Sequence, residues 1–80
     1  MNYIVIELQT NGSTTANIVT QYDNLPQAEQ KFYAVCSSAV VSEVPVHSAL
    51  IIDERGFLVK NESFTHTPAP EPEPEPETGA

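Results

Sequence analysis

Basic side chains are scarce in this sequence. Of its 80 residues only three are lysine or arginine, against eleven aspartates and glutamates, so the formal net charge at pH 7 is −8. A chain of this charge repels nucleic-acid phosphates and anionic lipid headgroups. We therefore expect neither direct nucleic-acid binding nor a membrane surface as a partner.

Cysteine is nearly absent as well. Cys36 is the single thiol, so no disulfide can form within the chain, which is consistent with a reducing compartment. His47 and His66 are the only histidines, and together with Cys36 they match no recognised zinc spacing. We expect no metal and no cofactor. A domain this small buries only about 60% of the surface that its unfolded chain exposes, which leaves self-association as a route to further stability.

Long apolar runs and glycine-rich loops are also missing. No apolar stretch approaches the length of a membrane span, and the opening MNYIVIELQT has neither the basic segment nor the cleavage site of a signal peptide. The three glycines stand at positions 12, 56 and 79 and build no phosphate-binding loop. We expect a cytoplasmic or virion-associated protein.

Strand-like sequence is present at both ends of the first 66 residues. NYIVIELQ and NIVTQY are rich in β-branched and aromatic residues, and Asn11-Gly12 between them marks a hairpin turn. Because residues 13–15 also tolerate turns, we expect this loop to exceed two residues. HSALIID and FLVKNESF predict a second hairpin, with a turn at residues 53–56 and positive φ at Gly56.

A helix is predicted between the two hairpins. Asn24 or Asp23 can cap its first turn, where Pro26 is tolerated. Apolar residues then recur with the helical period, at Leu25, Ala28, Phe32, Val35 or Cys36, and Ala39 or Val40. Pro45 limits the helix, which we expect to end near Ser42.

These elements predict an α+β fold of order ββαββ in residues 1–66. Two hairpins form one four-stranded antiparallel sheet, and the single helix packs on one face of it. The order of the strands in the sheet stays open.

One helix leaves the second face of the sheet uncovered, although both faces carry apolar residues. Ile4, Ile6 and Leu8 form the better core face of the first strand. We therefore expect the uncovered face to contact a second copy or another protein. The residues predicted for this contact are Tyr3, Val5, Val19, Ala49 and Ile51, or else the opposite set.

Residues 67–80 alternate proline with glutamate almost strictly. Proline fixes φ and removes backbone donors, and the composition cannot bury enough apolar area to fold. We predict a disordered, extended acidic tail that acts as a spacer or solubilising segment. A ligand for a proline-recognition groove, or for a basic partner, is the alternative.

Candidate catalytic residues are few. Cys36 lies in the middle of the predicted helix, on or beside its apolar stripe, where cysteine behaves as a small hydrophobe. His47 could pair with Cys36 or with Asp53. The sequence shows no third residue, at a spacing typical of catalytic triads, that would orient such a pair. The acidic residues are scattered and form no catalytic dyad. We expect no enzymatic activity and no catalytic residues.

Three stretches carry a resemblance when they are taken together: MNYIVIELQTN, NIVTQYDNLPQAEQKFYAVCSSAVVS and VPVHSALIIDERGFLVKNES. This pattern resembles a group of small proteins encoded in phages and prophages of gut Firmicutes, and it covers most of residues 1–66. That group offers no motif from which catalytic residues could be transferred. The resemblance implies a phage-associated structural or accessory role.

Three functions are compatible with the sequence. The first is a non-enzymatic interaction or structural module that self-associates, or docks onto another protein, through the uncovered sheet face. The second is an acidic inhibitor that imitates nucleic-acid charge. The third is a small enzyme that uses Cys36 or His47. We favour the first because a surplus apolar face is predicted and a catalytic constellation is not.

Overall fold

The computed structural model describes residues 1–66. The elements in chain order are β1 (Tyr3–Asn11), β2 (Thr14–Tyr22), α1 (Leu25–Val40), β3 (Val46–Asp53) and β4 (Leu58–Thr65). The strands form one antiparallel sheet in the order β2-β1-β3-β4, and α1 packs on one face. The predicted α+β fold of order ββαββ is confirmed. The predicted Pro-Glu tail at residues 67–80 lies outside the described residues.

The two hairpin turns are short and well defined. Gly12 has φ of 67°, and Asn11 pairs with Thr14, so the first turn has two residues and our expectation of a longer loop was wrong. Glycine supplies the positive φ that a tight hairpin turn needs, which lets the following threonines join the strand. In the second turn Gly56 has φ of 88°, as predicted, and donates its N–H to the Asp53 carbonyl at 2.9 Å.

Helix α1 begins with the predicted cap. The Asn24 side-chain oxygen accepts the N–H of Gln27 at 2.9 Å, and its side-chain NH₂ donates to the Gln27 side chain at 3.2 Å. The first of these bonds satisfies the Gln27 N–H, which has no partner within the helix. The helix ends at Val40, two residues before the predicted Ser42, because the Val41 N–H turns back to the Ser38 carbonyl at 3.3 Å.

The core lies between α1 and the two central strands. Ala28, Phe32 and Val35 of the helix pack with sheet residues Val5, Ala49 and Ile51, and all six are buried. Small side chains on both layers let the helix approach the sheet, and Phe32 fills the space between them. No helix in residues 1–66 has the length and apolarity needed to cross a membrane.

Candidate interaction surface

The burial pattern of β3 shows which residues lie on each face of the sheet. His47, Ala49, Ile51 and Asp53 are buried and alternate with less buried residues. Residues paired across neighbouring strands share a face, so the pairing extends this helix-covered face to the other strands. The remaining face, which we call the open face, consists of Ile4, Ile6, Leu8, Thr10, Thr15, Asn17, Val19, Gln21, Val46, Ser48, Leu50, Ile52, Leu58, Asn61, Ser63 and Thr65.

The open face contains no charged residue. The four strands carry only Glu7, Asp53, Lys60 and Glu62, and the pairing places all of them on the helix-covered face. Residues 1–66 hold seven acids and three bases, which gives this part of the chain a net charge of −4. The open face therefore stands out as the uncharged side of an acidic domain.

Branched apolar side chains occupy the centre of the open face. Ile4, Ile6 and Leu8 lie along β1, directly beside Leu50 and Ile52 of β3. None of these five is fully buried. Val19 on β2 and Leu58 on β4 extend the apolar surface towards both edges and are 55% and 58% exposed. A contiguous exposed apolar area of this kind is typical of protein interaction sites.

The open face is large enough for a specific contact. At about 3.3 Å per residue and about 4.8 Å between strands, four strands of eight or nine residues give a footprint of roughly 28 Å by roughly 19 Å, or about 530 Å². The accessible area of a corrugated surface exceeds its flat footprint. A standard interface buries about 800 Å² on each partner. The open face thus matches the lower end of stable interfaces.

The predicted contact residues are divided between the two faces. Val5, Ala49 and Ile51 are buried against α1, and Tyr3 packs beside them, so their assignment to the uncovered face was wrong. Only Val19 of the predicted set lies on the open face. The helix covers the face with the smaller central side chains, where Ala49 allows close approach, and the opposite set of larger residues is left uncovered.

Two polar side chains that the sequence did not connect meet beneath the helix. His47 Nε2 lies 2.6 Å from Glu7 Oε2, and Gln9 donates to the same carboxylate oxygen at 3.0 Å. Burial on its own raises the pKa of Glu7, but the bonds from His47 and Gln9 and the charge of Lys31 outweigh it and lower the pKa overall. The buried Nδ1 of His47 has no hydrogen-bond partner in residues 1–66.

Cys36 and His47 do not form a catalytic pair in the described part of the chain. His47 bonds to Glu7, Asp53 is held by Arg55 at 2.8 Å, and no hydrogen bond joins Cys36 to His47. Burial, followed by the charge of Glu62, raises the pKa of the Cys36 thiol. This is the opposite of what a nucleophilic thiolate needs.

A shallow groove lies between α1 and β4. Its volume is about 550 Å³, and Phe32, Cys36 and Phe64 contribute to its lining. Lys60 at its rim stands 3.7 Å from Glu29 and 5.9 Å from the centre of the Tyr33 ring. Within residues 1–66 no group of three or more His, Cys, Asp or Glu side chains could hold a metal ion.

Comparison of the chain with protein-family models, with curated proteins and with solved structures gives no match.

Proposed function

We propose that this protein is a non-enzymatic interaction module that self-associates through its open face. The observation that carries this proposal is the composition of that face: Ile and Leu side chains at its centre and no charge anywhere on it. Water contact with such a surface is unfavourable, and its burial gains about 25 cal/mol per Å² of apolar area.

A second copy is the partner that the charge distribution favours. Two domains that each carry −4 repel one another wherever their charged surfaces meet. The open face is where two copies can approach without bringing carboxylates together. Two sheets packed face to face, about 10 Å apart and rotated by about 30°, interdigitate branched side chains from both layers. A twofold axis through the Ile6–Leu50 pair makes the contact self-complementary.

The biological setting is proposed from the resemblance to phage and prophage proteins. It suggests a structural or accessory subunit, in the cytoplasm of the host or in the particle. Self-association through an uncharged sheet is compatible with that role because assembly subunits need a built-in contact surface. The same contact stabilises a domain whose single core is small.

The experiment compares two lysine variants by sedimentation equilibrium at micromolar concentration. Leu50→Lys places a charge at the centre of the open face, where desolvation and repulsion by its own copy oppose association. Val41→Lys is the matched control: the replacement is equally polar, and Val41 is 79% exposed at the end of α1. We expect Leu50→Lys to lose the open-face contact and therefore to have a lower mass than Val41→Lys, which keeps that contact.

Circular dichroism of both variants establishes that the sheet and helix are retained. The proposal is wrong if the unmodified chain sediments with its single-chain mass of 8.7 kDa. It is also wrong if Leu50→Lys, once folded, has the same mass as the Val41→Lys control.

A further inference from the structure

Strand β2 forms an edge of the sheet that nothing in its sequence protects. Its nine residues, TTANIVTQY, include no charge and no proline. Every one of them pairs with β1 in unbroken register, from Tyr22 opposite Tyr3 to Thr14 opposite Asn11. The outer side of this strand presents backbone N–H and C=O groups, and such an edge is a template for pairing with another strand.

Strand β4, the opposite edge, differs from β2 in its charge and in its register. The register between β3 and β4 shifts at Ile51/Ile52, so the strand is irregular near its start. Lys60 and Glu62 follow on its helix-covered side. Bulges and charges are the features that keep edge strands from pairing. The sheet therefore has one edge strand that is protected against pairing and one that is not. This difference points to β2 as the edge that pairs with another strand.

Two exposed apolar side chains mark the middle of β2. Ile18 is 50% exposed on the helix-covered face, and Val19 is 55% exposed on the open face. A partner packed on the open face would cover Val19 only. A strand placed beside β2 would shield both, because its side chains alternate between the same two faces.

We propose that β2 pairs antiparallel with β2 of a second copy, about a twofold axis at Ile18. In this register Ile18 stands opposite the partner's Ile18, and Asn17 stands opposite the partner's Val19. Pairs across antiparallel strands stabilise when they are apolar and oppose pairing when like charges meet. No like charges meet here, since β2 has none. The product is a continuous eight-stranded sheet.

Edge pairing is independent of contact through the open face, and the two are compatible. Ile18 does not belong to the open face, and Leu50 lies on β3, which β1 separates from β2. When both contacts form, four copies assemble as two eight-stranded sheets packed together, with the helices outside. Either contact alone gives a dimer.

Disulfide trapping tests the edge contact and its register. In a Cys36→Ser chain, Ile18→Cys places two thiols opposite each other across the axis, at the Cα separation of about 4.5–5.5 Å that a disulfide accepts. The first control is Ala16→Cys, on the same strand and face, which stands opposite the partner's Thr20. The second is Glu62→Cys on the other edge strand. We expect Ile18→Cys to form covalent dimers about tenfold faster than either control.

Equal rates for the three cysteine variants overturn the proposal. Sedimentation equilibrium distinguishes a failure of the edge contact from a failure of the open-face contact. Ile18→Lys sets two lysines against each other at the axis, so it should halve the mass of the wild-type assembly. Leu50→Lys should halve it by removing the other contact, and the double variant should be a monomer. An unchanged mass for Ile18→Lys refutes the edge contact alone, and an unchanged mass for Leu50→Lys refutes the open-face contact alone.

Discussion

The pair formed by His47 and Glu7 allows a double-substitution test of how the helix-covered face is stabilised. His47 is 4% exposed, and its one side-chain hydrogen bond in residues 1–66 joins Nε2 to the Glu7 carboxylate at 2.6 Å. Because the pKa of Glu7 is lowered, the carboxylate is ionised at neutral pH and accepts a hydrogen bond from Nε2–H. The other ring nitrogen, Nδ1, has no partner.

Glu7→Leu removes the acceptor and leaves both ring nitrogens buried and unpaired. An unsatisfied buried donor costs about 1–3 kcal/mol, so we expect this variant to lose about 2 kcal/mol of unfolding free energy. Adding His47→Leu removes both nitrogens and places an apolar side chain beneath α1. Replacement of a whole buried polar pair is often neutral or stabilising by about 1–4 kcal/mol. The double variant should therefore recover most or all of the loss.

Urea unfolding followed by circular dichroism at pH 7 measures these differences. All chains are compared at one protein concentration, because association adds to apparent stability. Both residues lie on the helix-covered face, so neither change alters the open face directly. His47→Leu alone completes the cycle. A double variant no more stable than Glu7→Leu would refute the reasoning, since the orphaned imidazole would then not be the source of the loss.

Three further predictions concern the cap, the carboxylates and the thiol. Asn24→Ala should lower the stability by about 1 kcal/mol and Asn24→Ser much less, measured by thermal unfolding, because serine also caps helices; equal losses would count against the cap. The pKa values of Glu7 and Asp53 are lowered in the folded chain, the latter first by the Arg55 hydrogen bond. The stability that these carboxylates contribute is present at pH values above the pKa of an unfolded carboxyl group, and it is lost as the pH falls through their pKa values in the folded chain. Glu7→Gln should therefore make the unfolding free energy fall less steeply with decreasing pH. An unchanged dependence at acid pH would contradict this. Because the pKa of Cys36 is raised, an alkylating reagent at pH 8 should label the folded protein more slowly than the urea-unfolded chain; equal rates would show an accessible thiol.

Local features of the fold could be predicted because local chemistry determines them. Asn24 caps the helix through a residue three positions away, and Gly56 supplies the positive φ of its own turn. The alternation of the strands and the period of the helix then led to the ββαββ fold. The length of the first hairpin loop was overestimated because Ser13 and Thr14 are both tolerated in turns. Thr14 is also tolerated in a strand, and here it pairs with Asn11.

The choice of face could not be made in the same way. In β1 and β3 the residues that point to either face of the sheet are largely apolar. Alternation alone therefore does not tell which face meets the helix. The clue was side-chain size: Ala28 on the helix and Ala49 on β3 both belong to the buried core, where small side chains allow close approach. The Glu7–His47 pair was missed because its members lie forty residues apart and meet only once β1 and β3 are known to be neighbours.

The distribution of charge between the two faces reverses the usual arrangement of a half-covered antiparallel sheet. In such a sheet apolar residues face the core and polar residues face water. Here the charged strand residues lie on the side of the helix, where Glu7 meets His47, Asp53 meets Arg55 and Lys60 lies near Glu29. Burying charge has a cost even when it is paired, and placing the same residues on the open face would avoid that cost in a monomer. The proposed contact between two uncharged sheets would withdraw the open face from water and offset that cost. On this proposal the polar residues beneath the helix and the apolar residues opposite them have one explanation.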